Sequence, residues 1–340
     1  MNKRIDYFDI AKGIAMLCII AGHLGNDMAN NFVFTFHVPI FFLISGYFLN
    51  DRLAVKEFAK QKAKQMMIPY VITWGFIAAV AVIFIAVWLH NIDDVLFTVL
   101  NQVLSGLYGS GSGIHDINVD GRIYISSIGA IWFLPALFFA LVIVRYFMNR
   151  KYGGVWIFFI ALLGYESGKA AWMPLSVQSG MVASSFVYLG MLAHKYEVME
   201  KKLPREMKTG IAVLWIFCIL FCGKLYLVEN MFANGIVDYA GALAGSYIVV
   251  CFSRWLEQKT AYIAKILRFL GQNTLIMLCV HTIELKVMPW DMLLSRFVQH
   301  GMPAFVTYLS AKIIFCTIVT VFVVQIKKLV YKLRTESSNI

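Results

Sequence analysis

Charge is scarce in this sequence: Asp, Glu, Lys and Arg supply only 14% of its 340 residues, against about a quarter in an average soluble domain. A chain so poor in charge, 60% hydrophobic and with a mean hydropathy of +0.72, does not fit a water-soluble globular protein. CxxC pairs and His-Cys clusters are also missing. The six cysteines (Cys18, Cys218, Cys222, Cys251, Cys279 and Cys316) all fall inside apolar segments, where cysteine behaves as a small hydrophobe. Neither a disulfide framework nor a metal site is expected from them. No small-residue cleavage site follows the first apolar stretch, which therefore reads as a retained helix and not a removable signal peptide. No soluble domain, heptad run or internal repeat interrupts the chain, so residues 1–340 read as one membrane domain with its core over about 4–330.

What the sequence does contain is long apolar runs. A membrane span takes about 20 mostly apolar residues, and ten runs stand out, at roughly 8–27, 32–49, 66–89, 126–148, 155–167, 178–194, 209–228, 236–256, 262–287 and 303–330. The expected fold class is an all-α integral membrane protein of about ten transmembrane helices. Alternate connections are basic: Arg52, Lys56, Lys60, Lys62 and Lys64 in one, Arg150 and Lys151 in the next, Lys195, Lys201, Lys202, Arg205 and Lys208 in a third. The intervening connections carry Asp27, Asp93, Asp94, Asp116, Asp120, Glu229 and Asp238. By the positive-inside rule both termini are cytoplasmic. The same distribution accounts for the net charge of +11, so no nucleic-acid partner is expected. One external connection is long, about 90–125, and includes "GSGSG" and "DINVDGR". It reads either as a flexible loop without a fixed role or as a substrate lid.

The first run, "DIAKGIAMLCIIAGHLG", keeps three ionisable side chains. Lys12 and His23 are eleven positions apart, about three helical turns, which places them on one face with a rise of about 16 Å between them. Asp9 joins that face one turn before Lys12. Interface anchoring explains Asp9 and Lys12 as well as function does, whereas a histidine at the depth of His23 must face protein or a water-filled cavity. His37, in "FTFHVPIFFLISGYFLN", falls near the same outer level as His23, although a lone histidine beside a proline is often a structural cap. "SGY" at the other end of that run suits close helix packing. The basic stretch "KEFAKQKAKQMMIPY" either sets topology or offers Lys62 and Lys64 to a phosphate. Late in the chain, "FLGQNTLIMLCVHTIE" puts Glu284 one turn from His281, a spacing at which a carboxylate can orient an imidazole as a base requires, or simply join two helices. Trp132 in "AIWFLPALFF" adds an aromatic platform suited to a sugar ring at the same level.

Together these residues resemble the acyltransferase-3 family of bacterial membrane proteins. "YFDIAKGIAMLCIIAGH" is similar to that family's first-helix pattern of a basic residue, ten positions and a histidine, and "FHVPIFFLISGYF" to its second-helix signature. "AIWFLPALF", "SSFVYLGMLAHK" and "LGQNTLIMLCVH" extend the likeness over residues 4 to about 285. The resemblance implies a ten-helix enzyme of the bacterial inner membrane that takes an acyl group, usually acetyl from cytoplasmic acetyl-CoA, to a hydroxyl of a cell-surface or lipid-linked glycan. Carried over by position, Lys12 matches the basic residue of the first motif, His23 its catalytic histidine and Tyr47 the "SGY" tyrosine. The expected site is then His23, His281 and Glu284 as catalytic groups, Lys12, Tyr47, Lys62 and Lys64 toward acetyl-CoA, and His37 and Trp132 toward the acceptor. Where the family often has arginines before the proline of its third helix, this chain has Lys60, Lys62 and Lys64, which lack the bidentate fork. Acetyl-CoA is a cosubstrate, so no permanently bound cofactor and no metal are expected; the partners are the acyl-CoA, the glycan acceptor, membrane lipid and glycan-assembly proteins. Two other readings stay open. One is a polysaccharide-precursor or small-molecule exporter using a His/Glu proton relay. The other is the membrane module that accompanies racemases in some antibiotic-resistance proteins, although no racemase sequence follows residue 340.

Overall fold

Apolar stretches separated by short polar turns become helices throughout most of the residues that the computed structural model describes, 5–89, 91–222, 224–296 and 302–337. Helix α1 (Asp6–Gly22) leads to the short α2 (Asp27–Val33) and α3 (Pro39–Tyr47). The 35-residue α4 (Val55–Leu89) runs through Pro69 and packs against α5 (Ile92–Tyr108). Strands β1 (Ile117–Val119) and β2 (Ile123–Ile125) pair as an antiparallel hairpin, as do β3 (Leu225–Tyr226) and β4 (Met231–Phe232). Between the hairpins lie α6 (Phe133–Phe147), α7 (Gly153–Ala170), α8 (Val177–Lys195) and α9 (Arg205–Phe221). The rest is α10 (Ile236–Lys259), α11 (Ala261–Gln272), α12 (Thr274–Val287), α13 (Trp290–Leu294) and α14 (Met302–Ser337).

Among the described residues, five stretches are long and apolar enough to cross a membrane: Val55–Trp88, Gly129–Phe147, Pro174–Lys195, Ile236–Lys259 and Pro303–Thr335. A sixth is the pair α11 and α12, bent by 75° where they join. The ten runs of the sequence are not ten long helices. Helices α1 and α9 have 17 residues each, and the run at 32–49 is divided before the nine-residue α3. The cause of that division is local. Pro39 at the start of α3 has no N–H to give, while Thr35 Oγ1 donates to the Phe32 carbonyl and His37 Nδ1 to the Val33 carbonyl, each at 2.7 Å, within the turn that precedes it.

The connection at 91–125 is built of regular elements and not an irregular loop. Asn91 caps α5 by accepting from the Asp93 N–H (3.0 Å), and Gly109, at φ 63°, ends it. Ser112 then donates to Glu229, and His115 stacks on Trp172 with ring centroids 3.9 Å apart. At the start of α2, Lys224 donates to Asp27 (2.6 Å), a bond that holds the Asp27 carboxyl below its ordinary pKa and ties the α1–α2 connection to the β3–β4 hairpin.

Burial separates centre from rim. Only 17% of the apolar window in α4 and in α14 is buried, against 61% in α6 and α8; Ile72, Phe76, Ile83, Ile314, Ile318 and Phe322 stand exposed along those two outer helices, as lipid-facing side chains do. Helix α1 lies inside, packed chiefly on α11 and also on α10, α12 and α14. Small residues permit that approach: a Cβ on Gly271 would sit 1.7 Å from the Asp9 carbonyl oxygen, and one on Gly13 2.2 Å from that of Leu267. Helices α3 and α8 meet in the same way through Gly46 and Gly190. The glycine of "SGY" thus serves helix packing.

Candidate active site

The end of α1 sets the site. Its last helical residue is Gly22, so His23 sits at the C-cap. Eleven positions earlier, Lys12 Nζ lies 2.7 Å from Asp9 Oδ1. Asp9 is buried and Lys12 half-buried, so this pair faces the protein interior. A cavity of about 420 Å³ is lined by both Lys12 and His23, with Met16, Ile19, Phe41 and Leu278 among its apolar walls. That volume lies in the lower part of the range for small-molecule sites, ~300–1,000 Å³.

Two more expected residues line the same cavity, His37 and Trp132. Because a carbonyl can only accept, the 2.7 Å contact with Val33 requires a proton on His37 Nδ1, which leaves Nε2 of the neutral ring as an acceptor. Trp132 ends the 3-10 turn Gly129–Trp132, and its indole lies where a Cβ on Gly111 would be, 2.3 Å from its Cγ. The "GSGSG" stretch therefore positions Trp132.

Behind His23 stands a buried polar cluster. The His281 ring lies 5.1 Å from that of His23, inclined by 55°. His281 Nδ1 donates to Glu284 Oε1 (2.8 Å), while His281 Nε2 is buried and has no hydrogen-bond partner among the described residues. Glu284 Oε2 accepts from Lys312 Nζ (3.0 Å) and from the indole N–H of Trp290. His281 and Glu284 are wholly buried and Lys312 is 6% exposed. A carboxylate at this depth needs a compensating charge, and Lys312 supplies it.

Lys312 and Trp290 were not expected from the sequence. The signal was a single lysine in the apolar run "YLSAKIIFCTIVTV" of the last span, the kind of residue that is functional by default in a membrane helix. His281, Glu284 and Cys316 also bring one ligand atom each within 4.8 Å of one another. With Lys312 and Trp290 already on Oε2, a metal ion there would meet an ammonium group and an occupied carboxylate.

The other expected residues lie apart. Tyr47 is buried and its hydroxyl donates to Glu200 (2.6 Å); it is Ser45, two positions earlier, that lines the cavity. Lys62 donates to Gln65 (3.2 Å), a cavity-lining residue, and so reaches the cavity through it. Lys64 is exposed and outside the lining. A second cavity, about 710 Å³, opens among α12, α13 and α14 and shares His23 with the first. His23 is solvent-accessible although helices surround it, because it lines both cavities.

No solved structure matches the chain. Nodulation protein NolL of Mesorhizobium japonicum is 24% identical over 370 residues, an alignment spanning 96% of this chain and 86% of that protein. A family model described as an acyltransferase domain matches residues 5–324. With the first-helix Lys12 and His23 at the two ends of one cavity and nearly the whole length matched, the chain belongs to the acyltransferase-3 family.

Proposed function

We propose that this protein is an O-acetyltransferase of the bacterial inner membrane, moving acetyl from cytoplasmic acetyl-CoA to a hydroxyl of a cell-surface or lipid-linked carbohydrate. The observation that carries the reading is the single cavity with a cation at one end and a histidine at the other, about 16 Å further along one helix. Acyl-CoA has the matching form: phosphates at one end, a long arm, and a thioester at the tip. Lys12, paired with Asp9, keeps ammonium N–H donors for a phosphate oxygen, Lys62 adds positive charge through Gln65, and the apolar middle receives the arm. The basic connections support a cytoplasmic position for that end.

At the other end His23 meets the thioester, with His37 and Trp132 lining the cavity beside it. As general base, its imidazole takes the proton of the acceptor hydroxyl while the oxygen attacks the thioester carbon. The carbon–sulfur bond breaks, and the imidazolium returns that proton to the departing sulfur; ester and free CoA thiol result. An acyl-imidazole on His23 followed by transfer gives the same balance in two steps. Glu284, held by Lys312 and Trp290, fixes the His281 ring against His23. Mass analysis of surface glycans from cells carrying the wild type or His23→Ala, matched for protein in the membrane, tests the reading. The variant should lose the acetyl mass. Intact acetylation would overturn the assignment, and intact acetylation with polymer retained inside cells lacking the protein would point to an exporter.

A further inference from the structure

The second cavity at His23 is left free by the donor placement proposed above. It is lined by His23, Asn26, Trp290, Asp291, Tyr308 and Lys312 among others, and these groups differ in kind from the apolar walls of the donor cavity. We propose that this second cavity binds the acceptor, and that the acceptor is an uncharged sugar ring. The inference rests on the acetyl-transfer reading for the word acceptor, and on the cavity alone for the choice of ligand.

Three observations carry it. First, sugars are recognised by aromatic surfaces together with hydrogen-bonding side chains; here Trp290 and Tyr308 stand beside Asp291 and Asn26, and the Tyr308 hydroxyl donates to Asp291 Oδ1 (3.1 Å), so that two of the polar groups are already oriented. Second, the charge balance selects against acidic sugars. Among the described lining residues Lys312 is the one Lys or Arg, and its charge is committed to Glu284 behind the wall; Asp291 is left as the net charge those residues present to the ligand, and it repels a carboxylate or a phosphate. Third, His23 is the residue common to both cavities. A hydroxyl entering from the α12–α14 side reaches the imidazole without passing through the space taken by the thioester arm. His37 and Trp132, on the donor side, then contact the acetyl group.

Binding is measured apart from transfer, so that the two readings fail separately. The full protein is reconstituted in nanodiscs free of glycoside detergent, and ligand-observed NMR follows methyl β-glucoside, N-acetylglucosamine and glucuronic acid. The neutral sugars should bind the wild type, glucuronic acid at least tenfold more weakly, and both Asp291→Ala and the milder Tyr308→Phe should weaken neutral-sugar binding about tenfold. Asp291→Asn should narrow the gap between glucuronic acid and the neutral sugars. A wild type that binds neither neutral sugar, that binds glucuronic acid as well as they do, or whose binding survives both the Asp291 and Tyr308 changes overturns the proposal. Release of thiol from acetyl-CoA, compared between wild type and His23→Ala in membranes, is the separate check on acetyl transfer; its failure leaves the sugar-binding result standing.

Discussion

Lys312 Nζ lies 3.0 Å from Glu284 Oε2, with both side chains almost wholly inside the helix bundle. Lys312→Met keeps most of the side chain's length and leaves the carboxylate without its cation, a change that costs about 3–5 kcal/mol in buried ion pairs. The variant should unfold at lower temperature and lose acetyl transfer. Adding Glu284→Gln removes the stranded charge and should recover much of the stability but none of the activity. Thermal unfolding of the purified protein separates the two; a double variant no more stable than Lys312→Met would show that the charge is not what the pair contributes.

Glu284 lines neither cavity; it acts on His23 through His281 and touches the second cavity through Lys312 and Trp290. Glu284→Gln retains an oxygen for the His281 Nδ1 proton and removes the charge. We expect kcat to fall by ~10²–10⁴, the usual size of acid–base contributions, with the KM for acetyl-CoA changed less than twofold. A rise in that KM with kcat preserved would assign Glu284 to donor binding.

Much of this site was legible from spacing. An eleven-residue separation on a 3.6-residue repeat put Lys12 and His23 on one face, and the i, i+3 spacing of His281 and Glu284 became a 2.8 Å hydrogen bond. The elements that escaped did so for physical reasons. Lys312 sits alone in an apolar run, and its partner is 28 positions away on another helix, a distance no local pattern reports. Helix α5 was hidden by the turn residues that follow it, although Leu96, Val99, Leu100, Val103 and Leu107 already repeat at helical intervals between the Asn91 cap and Gly109. The division before α3 was masked because hydropathy does not register side-chain bonds such as that of His37 to Val33.

The Gly271 crossing bears on the site through Asp9. A Cβ at Gly271 falls on the Asp9 carbonyl, so Gly271→Val must move α1 and with it the Lys12 pair. Overpacking of this kind costs ~1–3 kcal/mol or more, and both stability and acetyl-CoA binding should drop. Gly210→Ala in α9 has open space around it and should change the unfolding temperature little. Equal effects from the two would remove the packing explanation.

Ser45 and Tyr47 are two residues apart with different surroundings, the first on the donor cavity and the second bonded to Glu200. Ser45→Leu should raise the KM for acetyl-CoA at least fivefold by filling the cavity. Tyr47→Phe loses one hydrogen bond, ~0.5–1.5 kcal/mol of stability, and should leave that KM within twofold. A large KM effect from Tyr47→Phe would return the tyrosine to the donor site.

The order of substrate binding distinguishes the two routes through His23. Donor and acceptor in separate cavities that meet at one imidazole can be present together, and direct transfer then needs a ternary complex. Initial rates measured against acetyl-CoA at several fixed acceptor concentrations should give intersecting double-reciprocal lines. An acyl-imidazole formed before the acceptor binds would give parallel lines and a burst of thiol in the first turnover. Direct transfer is the expected outcome, because His23 is the lining residue that the two cavities share among the described residues, so a hydroxyl from the α12–α14 cavity and a thioester from the α1 cavity meet beside the same imidazole and neither has to leave before the other can react.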